Sequence, residues 1–247
     1  MQNNIDVIGV IPARYQSSRL EFKLLRPLCG KPLIQWSWEA ASRASLLDEL
    51  VIACDDIKIK EAAEKFGAKA VMTSVKHQSG TDRITEAISN IDARIVINIQ
   101  ADEPFMHPSV IDSLAREMIN NPATTMATVR KAIEKEEEIN NPNIVKLICD
   151  KNDFAIYFSR YPIPYYRENS DKRKYYKHLG IYAYTKDFLY AFKNLPFSYL
   201  ENAERLEQLR AIEAGYKIKV IETKFESVGV DTEEDLQRAE TVINKGK

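Results

Sequence analysis

The stretch VIGVIPARYQSSRLEFK, residues 7 to 23, decides the fold class, because a short apolar run passes directly into a polar loop. Residues 7–12 have the length and apolar character of a buried strand. The loop that follows carries Arg14, Arg19 and Lys23 within ten residues, with serines between them. In open α/β sheets ligands bind at the carboxyl ends of the strands. The stretch therefore predicts an anion site at the end of a first strand.

The loop after this strand has two interpretations. A triphosphate needs cations together with hydroxyl or backbone donors, and the loop supplies both. It contains neither GxxxxGK[ST] nor GxGxxG, so it is neither a P-loop nor a dinucleotide fingerprint. From spacing alone, a solvated surface loop with scattered cations is an equally good interpretation.

Further along, apolar runs alternate with helical patterns. Residues 32–43 predict a helix, residues 50–54 a second strand, and residues 94–99 a third strand that runs into QADEP at 100–104. Asp56 is placed to cap the helix after the second strand. This alternation predicts an α/β fold with a parallel or mostly parallel sheet.

The pattern changes near residue 140. Two short apolar runs, 144–149 and 154–160, are separated by a turn and predict a hairpin. Residues 161–177 are rich in Tyr, Pro and charge, which indicates an irregular segment. We therefore expect a single domain over residues 1–247, with an inserted smaller subdomain at roughly 130–200.

Composition excludes several classes. The chain has 247 residues and a net charge of −1, so it lacks the basic field that drives binding to nucleic acid. The three cysteines lie far apart without zinc spacing, and free thiols predict a reducing, cytoplasmic location. No run approaches the roughly 20 apolar residues of a membrane helix, and no signal peptide is expected.

Nine short motifs are spread over nearly the whole chain. They are IPARY (11–15), SRL (18–20), GKPLI (30–34), HQSGTDR (77–83), QADEP (100–104), YFSR (157–160), KHLGIY (177–182), LEQLR (206–210) and GVDT (229–232). In order and approximate spacing they resemble the CMP-Kdo synthetases (3-deoxy-manno-octulosonate cytidylyltransferases). The resemblance implies a Rossmann-like three-layer nucleotidyltransferase fold. It also implies that the inserted subdomain at roughly 130–200 binds the sugar and forms part of a homodimer interface.

The resemblance also implies an activity: transfer of CMP from CTP to the anomeric hydroxyl of Kdo, giving CMP-Kdo and pyrophosphate for lipopolysaccharide synthesis. One alternative is a cytidylyltransferase for a related acidic sugar, such as 8-amino-Kdo or a sialic-acid relative. Another is a non-catalytic nucleotide-binding protein on the same scaffold. The chain departs from the family at Glu21-Phe22, where the family usually has Pro-Gly, and at Leu24 and Ala101. For this reason we expect the first loop to follow a different path or to become ordered only on binding.

The resemblance assigns nine residues to the nucleotide. They are Arg14, Ser17, Arg19, Lys23, Ser79, Gly80, Thr81, Arg83 and Gln100. The three cations of the first loop would contact the phosphates, and Arg19 and Lys23 are also predicted to be catalytic. The loop from Ser79 would lie near the base and ribose, with a simple turn as the alternative. The alternative for Gln100 is a hydrogen bonder at a strand end.

Asp102 and Asp231 are predicted to be catalytic and to bind Mg²⁺. Each follows an apolar run that predicts a buried strand, residues 94–99 and 227–230. Mg²⁺ is commonly held by one or two carboxylates together with substrate phosphates. The alternative is that both residues cap helices, a very common role of Asp.

The resemblance assigns five residues to the acidic sugar. They are Arg160, His178, Tyr182, Glu207 and Gln208. An arginine can pair with the sugar carboxylate through two parallel hydrogen bonds, and the carboxylate and amide side chains can read hydroxyls. The alternatives are an exposed helix face for Glu207 and Gln208, and a packed core histidine for His178.

Overall fold

A computed structural model describes residues 5–17, 19–168 and 173–245. The chain forms two compact units. The first consists of residues 1–115 and 226–247, and the second of residues 116–225.

Within the described residues the chain forms eleven strands, nine α-helices and a 3₁₀ helix at Lys23–Leu25. The strands are β1 (Ile5–Ala13), β2 (Pro27–Leu28), β3 (Lys31–Pro32), β4 (Glu49–Cys54), β5 (Lys69–Met72), β6 (Ala93–Asn98), β7 (Met126–Ala132), β8 (Lys146–Cys149), β9 (Ala155–Ser159), β10 (Tyr176–Thr185) and β11 (Lys219–Glu222). The helices are α1 (Leu33–Ala41), α2 (Ile57–Lys65), α3 (Gly80–Ala87), α4 (Pro108–Asn120), α5 (Glu136–Ile139), α6 (Lys186–Lys193), α7 (Tyr199–Glu204), α8 (Gln208–Glu213) and α9 (Glu233–Lys245).

The first unit is built on a parallel sheet in the order β6-β1-β4-β5. Val10 of β1 pairs with Val51 of β4 on one side and with Asn98 of β6 on the other. Val7, Ile8, Val10 and Ile11 of β1 are buried, as expected for a strand with neighbours on both sides. The three strands predicted in this part of the chain are therefore confirmed. Asp56 caps α2 as predicted, since its side chain accepts from the Lys58 amide.

The second unit mixes strand directions. β7 pairs antiparallel with β10 and parallel with β11, and β8 pairs antiparallel with β9. The predicted hairpin is confirmed by this last pair, in which Lys146 lies opposite Ser159. The irregular segment predicted up to residue 177 ends earlier, because β10 begins at Tyr176. The subdomain predicted at 130–200 falls within this unit, and its sugar-binding and dimerisation roles stay predictions.

One predicted strand is wrong. Residues 227–230 form no strand in the described chain. Their backbone is tied instead by a hydrogen bond from the Val230 amide to the Asp102 carbonyl, at 2.9 Å. An apolar run of four residues is too short to specify a strand without a pairing partner. Among the described residues, no helix is long and apolar enough to cross a membrane.

Candidate active site

A cavity of about 330 Å³ lies in the first unit, within the range of small-molecule sites. Its lining includes eight of the nine residues predicted for the nucleotide and both predicted metal ligands. They are Arg14, Ser17, Arg19, Lys23, Ser79, Gly80, Arg83, Gln100, Asp102 and Asp231. Thr81 is the exception, because its side chain is buried. The solvated-loop interpretation of the first loop does not explain this convergence.

Lys23 is the centre of an ionic cluster in this cavity. Its Nζ lies 2.5 Å from Oδ2 of Asp102 and 2.9 Å from Oδ1 of Asp231, and only 11% of its side chain is exposed. Arg19 pairs with the other oxygen of Asp231 at 2.9 Å. Burial works against the charge of Lys23, but the two carboxylates outweigh it and raise its pKa. The ammonium therefore stays charged at neutral pH.

The backbone before Lys23 is held in an unusual conformation. Phe22 has φ 52° and ψ 32°, in the left-handed region that favours glycine. Its ring stacks on Tyr15 with centroids 4.5 Å apart, which offsets part of that cost. The conformation is one that the glycine usual in the resembled family would also accept. The substitution by Phe therefore does not by itself require the different loop path that we expected.

Two loops bring the carboxylates together. The Val230 amide bonds to the Asp102 carbonyl, and the Ser227 hydroxyl donates to Glu103 Oε2 at 2.8 Å. Asp231 does not cap α9, because Thr232 accepts from the Asp235 amide in that position. Asp102 lies six residues before α4 begins. The helix-cap alternative is therefore wrong for both residues.

The start of α3 also lines the cavity. Ser79 caps this helix by accepting from the Asp82 amide at 3.1 Å, so its side chain serves the fold. A Cβ on Gly80 would lie 3.4 Å from the Pro12 ring, so the helix start packs against the end of β1. Gln100 donates to Asn98 at 3.2 Å, which agrees with its strand-end alternative and leaves its carbonyl oxygen as an acceptor.

Asp55 was missed by the sequence reasoning. It accepts from the Tyr15 amide at 2.8 Å and from Arg83 at 2.9 Å. Arg83 also donates to Thr73 at 2.7 Å and is buried, so its guanidinium braces the loops. The signal was present, because Asp55 directly follows β4 and so sits at the same sheet edge.

Glu103 was missed as well. Burial, with the charge of Asp102, raises its pKa to about 7, against the opposing hydrogen bond from Ser227. His77 and Gln78 also line the cavity. Both belong to the quoted motif that starts at His77, although neither was assigned a role there.

The residues predicted for the sugar lie in the second unit. His178 and Tyr182 lie on β10 with ring centroids 5.3 Å apart. Burial, with the charge of Glu207 as a second cause, raises the pKa of Tyr182 well above its ordinary value. Burial also lowers the pKa of His178 to about 3, so its ring is neutral at pH 7. The fold thus brings Tyr182 close to His178 and to Glu207.

The side chains of Arg160 and Gln208 differ in how many of their hydrogen-bond donors already have a partner within the protein. The guanidinium of Arg160 donates to the carbonyls of Glu204 at 2.7 Å and of Pro142 at 2.9 Å. The carboxylate of Glu204 lies nearby, but in this bond it accepts from the Arg160 backbone amide at 2.9 Å. Gln208 is 4% exposed, and its Nε2 has no hydrogen-bond partner among the described residues. The exposed-face alternative is therefore wrong for Gln208, whose amide nitrogen has a donor that a bound molecule can use.

The fold and this cavity define a nucleotidyltransferase, and comparison with known proteins makes the class specific. A family model described as cytidylyltransferase matches residues 8–219, so the chain belongs to that family. It is 47% identical to the 3-deoxy-manno-octulosonate cytidylyltransferase of Solibacter usitatus (strain Ellin6076), over 94% of this chain and 92% of the relative. It is 46% identical to the enzyme of the same name from Syntrophus aciditrophicus (strain SB), over 96% and 97%.

A solved structure agrees. CMP:2-keto-3-deoxy-manno-octonic acid synthetase, complexed with CTP, superposes with a TM-score of 0.93 at 41% identity, covering 98% of this chain and 100% of the other. The predicted nucleotidyltransferase fold is thereby confirmed. The chain belongs to the 3-deoxy-manno-octulosonate cytidylyltransferases, the family that its motifs predict.

Proposed function

We propose that this protein transfers a cytidylyl group from CTP to the anomeric hydroxyl of Kdo, giving CMP-Kdo and pyrophosphate. The hydroxyl oxygen forms a bond to the α-phosphorus, and the bond from that phosphorus to the bridging oxygen of pyrophosphate breaks. The hydroxyl proton passes to a base that we do not assign. The observation that carries the proposal is the cluster of Lys23, Arg19, Asp102 and Asp231 in the cavity. Its support is the family to which the chain belongs, with a relative solved in complex with CTP.

The chain's own contribution is positioning and charge. Arg14 is exposed on the lining of the cavity, where its planar fork of donors suits phosphate oxygens. Lys23 is a compact charge held in place before any substrate contact. Fixed cations of this kind stabilise charge that develops on the phosphates and cost no reorganisation during the reaction. The hydroxyl attack itself needs little covalent help from the protein.

The carboxylate pair fits Mg²⁺. Oxygens of Asp102 and Asp231 both bond to the single Nζ of Lys23, so they lie close enough to share one cation. Both are hard oxygen ligands of the kind that Mg²⁺ prefers. No group of three or more His, Cys, Asp or Glu within the described residues could hold a metal ion, so triphosphate oxygens would complete the ligand set. When bound, Mg²⁺ would offset charge on the leaving pyrophosphate.

The sugar would be read in the second unit. The unpaired Nε2 of Gln208 is a donor that awaits an acceptor oxygen. Glu207 can accept from a hydroxyl, and a ring nitrogen of the neutral His178 that has no proton can accept as well. Arg160 brings the positive charge for the carboxylate of the acid.

The proposal extends to a cytoplasmic homodimer that makes CMP-Kdo for lipopolysaccharide synthesis. The family supports the pathway and the dimer, and the location is supported by three free cysteines, Cys29, Cys54 and Cys149.

Pyrophosphate release tests the substrates directly. The protein with Mg²⁺ is given CTP, ATP, GTP or UTP, each with Kdo, 8-amino-Kdo or sialic acid. We expect CTP with Kdo to give the highest kcat/KM. Equal turnover with a purine triphosphate would refute cytidine recognition, and a higher kcat/KM with another acid would replace Kdo as the substrate. No release with any pair would favour the non-catalytic alternative.

A single substitution tests sugar binding independently of nucleotide binding. Gln208→Leu should raise the KM for Kdo about tenfold, the size of one lost hydrogen bond, and leave the KM for CTP unchanged. Because the Nε2 has no partner in the described protein, the melting temperature should hardly change. Gln237→Leu, at an exposed position of α9, is the control. An unchanged KM for Kdo would remove Gln208 from the sugar site.

A further inference from the structure

Thr128 lies opposite a break in the pairing of two strands. β7 and β10 pair regularly from Ala132 to Val129, but Tyr182 then lies opposite Thr128 directly after Leu179 lies opposite Val129. Two residues of β10, Gly180 and Ile181, are therefore bulged out of the ladder. A bulge frees backbone groups from strand pairing and re-aims the side chains beside it.

The hydroxyl of Thr128 meets the groups that the bulge frees. The side chain is fully buried. Its Oγ1 lies 2.8 Å from the Ile181 carbonyl, 3.4 Å from the Leu179 carbonyl and 2.9 Å from Nε2 of His178. One buried hydroxyl thus joins the bulge to the histidine ring.

Counting protons assigns the tautomer of that ring. A hydroxyl has one proton to donate, and carbonyl oxygens can only accept. The short contact with the Ile181 carbonyl takes this proton, because 2.8 Å is an ordinary hydroxyl hydrogen-bond length and 3.4 Å is not. Toward His178 the hydroxyl can then only accept, so Nε2 must carry the hydrogen.

The opposite nitrogen follows from this assignment. Burial keeps the ring neutral, since it lowers the pKa of His178 to about 3. A neutral imidazole protonated on Nε2 has a lone pair on Nδ1, which makes Nδ1 a hydrogen-bond acceptor. The ring is packed between Phe158, at 5.0 Å, and Tyr182, at 5.3 Å between centroids. Its orientation is therefore set by packing as well as by the hydrogen bond.

We propose that Thr128 is a positioning residue for the sugar-acid site: it holds His178 in the Nε2-protonated form, so that Nδ1 accepts a hydrogen bond from a substrate hydroxyl, and it fixes the bulge that places Tyr182. The role toward substrate rests on the proposed function. The tautomer itself does not, because it follows from contacts within the second unit. Thr128 belongs to none of the motifs that assigned the other site residues.

The tautomer is measured on the intact protein by NMR of ¹⁵N-labelled histidine rings. The chain has three histidines, and His178→Gln identifies the signal of interest. We expect Nδ1 to show the shift of an unprotonated nitrogen and Nε2 that of a protonated one, unchanged between pH 5 and 8. A proton on Nδ1 in the wild-type protein would overturn the proposal without any variant.

Two variants test the role of the hydroxyl. Thr128→Val keeps the shape of the side chain and removes the hydroxyl, whereas Thr128→Ser keeps the hydroxyl. We expect Thr128→Val to lose the single tautomer and to raise the KM for Kdo about tenfold with the KM for CTP unchanged. Thr128→Ser should keep the single tautomer and the wild-type KM for Kdo. The same tautomer and the same KM in Thr128→Val would overturn the proposal.

The proposed function and the tautomer of His178 are tested separately. If the wild-type protein turns over no sugar acid, the proposed function fails, but the NMR signals still decide the tautomer. If Thr128→Val does not fold, the wild-type signals and the serine variant carry the test.

Discussion

Replacing Lys23 by Met should make the stability of the protein depend on an added divalent cation. Met keeps most of the side-chain stem and removes the charge. Asp102 and Asp231, whose side chains are 28% and 39% exposed, would then face each other without the cation between them. Arg19 remains beside Asp231, but it is 64% exposed and screened by solvent.

The size of the effect lies between two limits. Breaking a fully buried ion pair costs about 3–5 kcal/mol, and an exposed pair contributes about 0–1 kcal/mol. Because both carboxylates are partly exposed, we expect a loss of about 2 kcal/mol. For a chain of this size that lowers the melting temperature by about 4–8 °C. Lys23 has a raised pKa, so its contribution is complete below its unfolded pKa of about 10.5 and is lost only as pH rises through the folded value. At pH 7.5 the full effect is present.

The assay is thermal unfolding with a chelator and with Mg²⁺, without nucleotide. In the variant Mg²⁺ would meet the two carboxylates without Lys23 between them, whereas in the wild-type protein it would compete with the ammonium for the same oxygens. Added Mg²⁺ at 100 times its dissociation constant stabilises by about 2.7 kcal/mol, so the variant should regain its melting temperature, and its Mg²⁺ shift should exceed that of the wild type.

The matched control is Lys31→Met. Lys31 forms a partly exposed pair with Glu39 at 2.8 Å, so its loss should cost under about 1 kcal/mol and add no Mg²⁺ dependence. Equal Mg²⁺ shifts in wild type and Lys23→Met, or an unchanged melting temperature in chelator, would refute the reasoning.

Three further predictions concern the two sites. Asp102→Asn and Asp231→Asn should each lower turnover at least about 10²-fold, whereas each breaks one ion pair of Lys23 and should lower the melting temperature no more than Lys23→Met does; near-normal turnover would remove both from the catalytic set. Phe22→Gly loses the ring contact with Tyr15, worth about 0.5–1.5 kcal/mol, but relieves left-handed strain of about 1–2 kcal/mol. It should therefore unfold at higher urea than Phe22→Ala, and the reverse order would contradict the strain argument. Since burial lowers the pKa of His178 to about 3, the unfolded chain binds its proton first, and stability should fall as pH drops below about 6.5. In His178→Gln the melting temperature should therefore depend less on pH between pH 5 and 7 than in the wild-type protein. The same pH dependence in both proteins would contradict this.

Local patterns in the sequence were enough for several elements of both units. The apolar run at 7–12 is long enough to require burial on both faces, and it became β1. The capping signal of Asp56 is a contact across two residues, Asp56 to the Lys58 amide, so nothing distant can change it. The hairpin of β8 and β9 is likewise a pairing of neighbours in the chain. The motifs also identified the family, because their order and spacing can be read from the sequence alone.

Only the tertiary structure decided which side chains meet and what each is free to do. Lys23 bonds to Asp231, 208 residues further along the chain. Patterns within a short stretch of sequence cannot predict such a contact. The run at 227–230 looked like a strand but found no strand partner, since pairing depends on what the rest of the chain places beside it. Gln208 matched an exposed-face alternative until burial left its amide without a partner. Thr128 belongs to no motif, and its hydroxyl became informative only when the fold placed His178, 50 residues away, against it. Long-range burial and hydrogen bonding exist only in the folded chain. The protonation states of the site residues depend on both, so they too are decided by the tertiary structure.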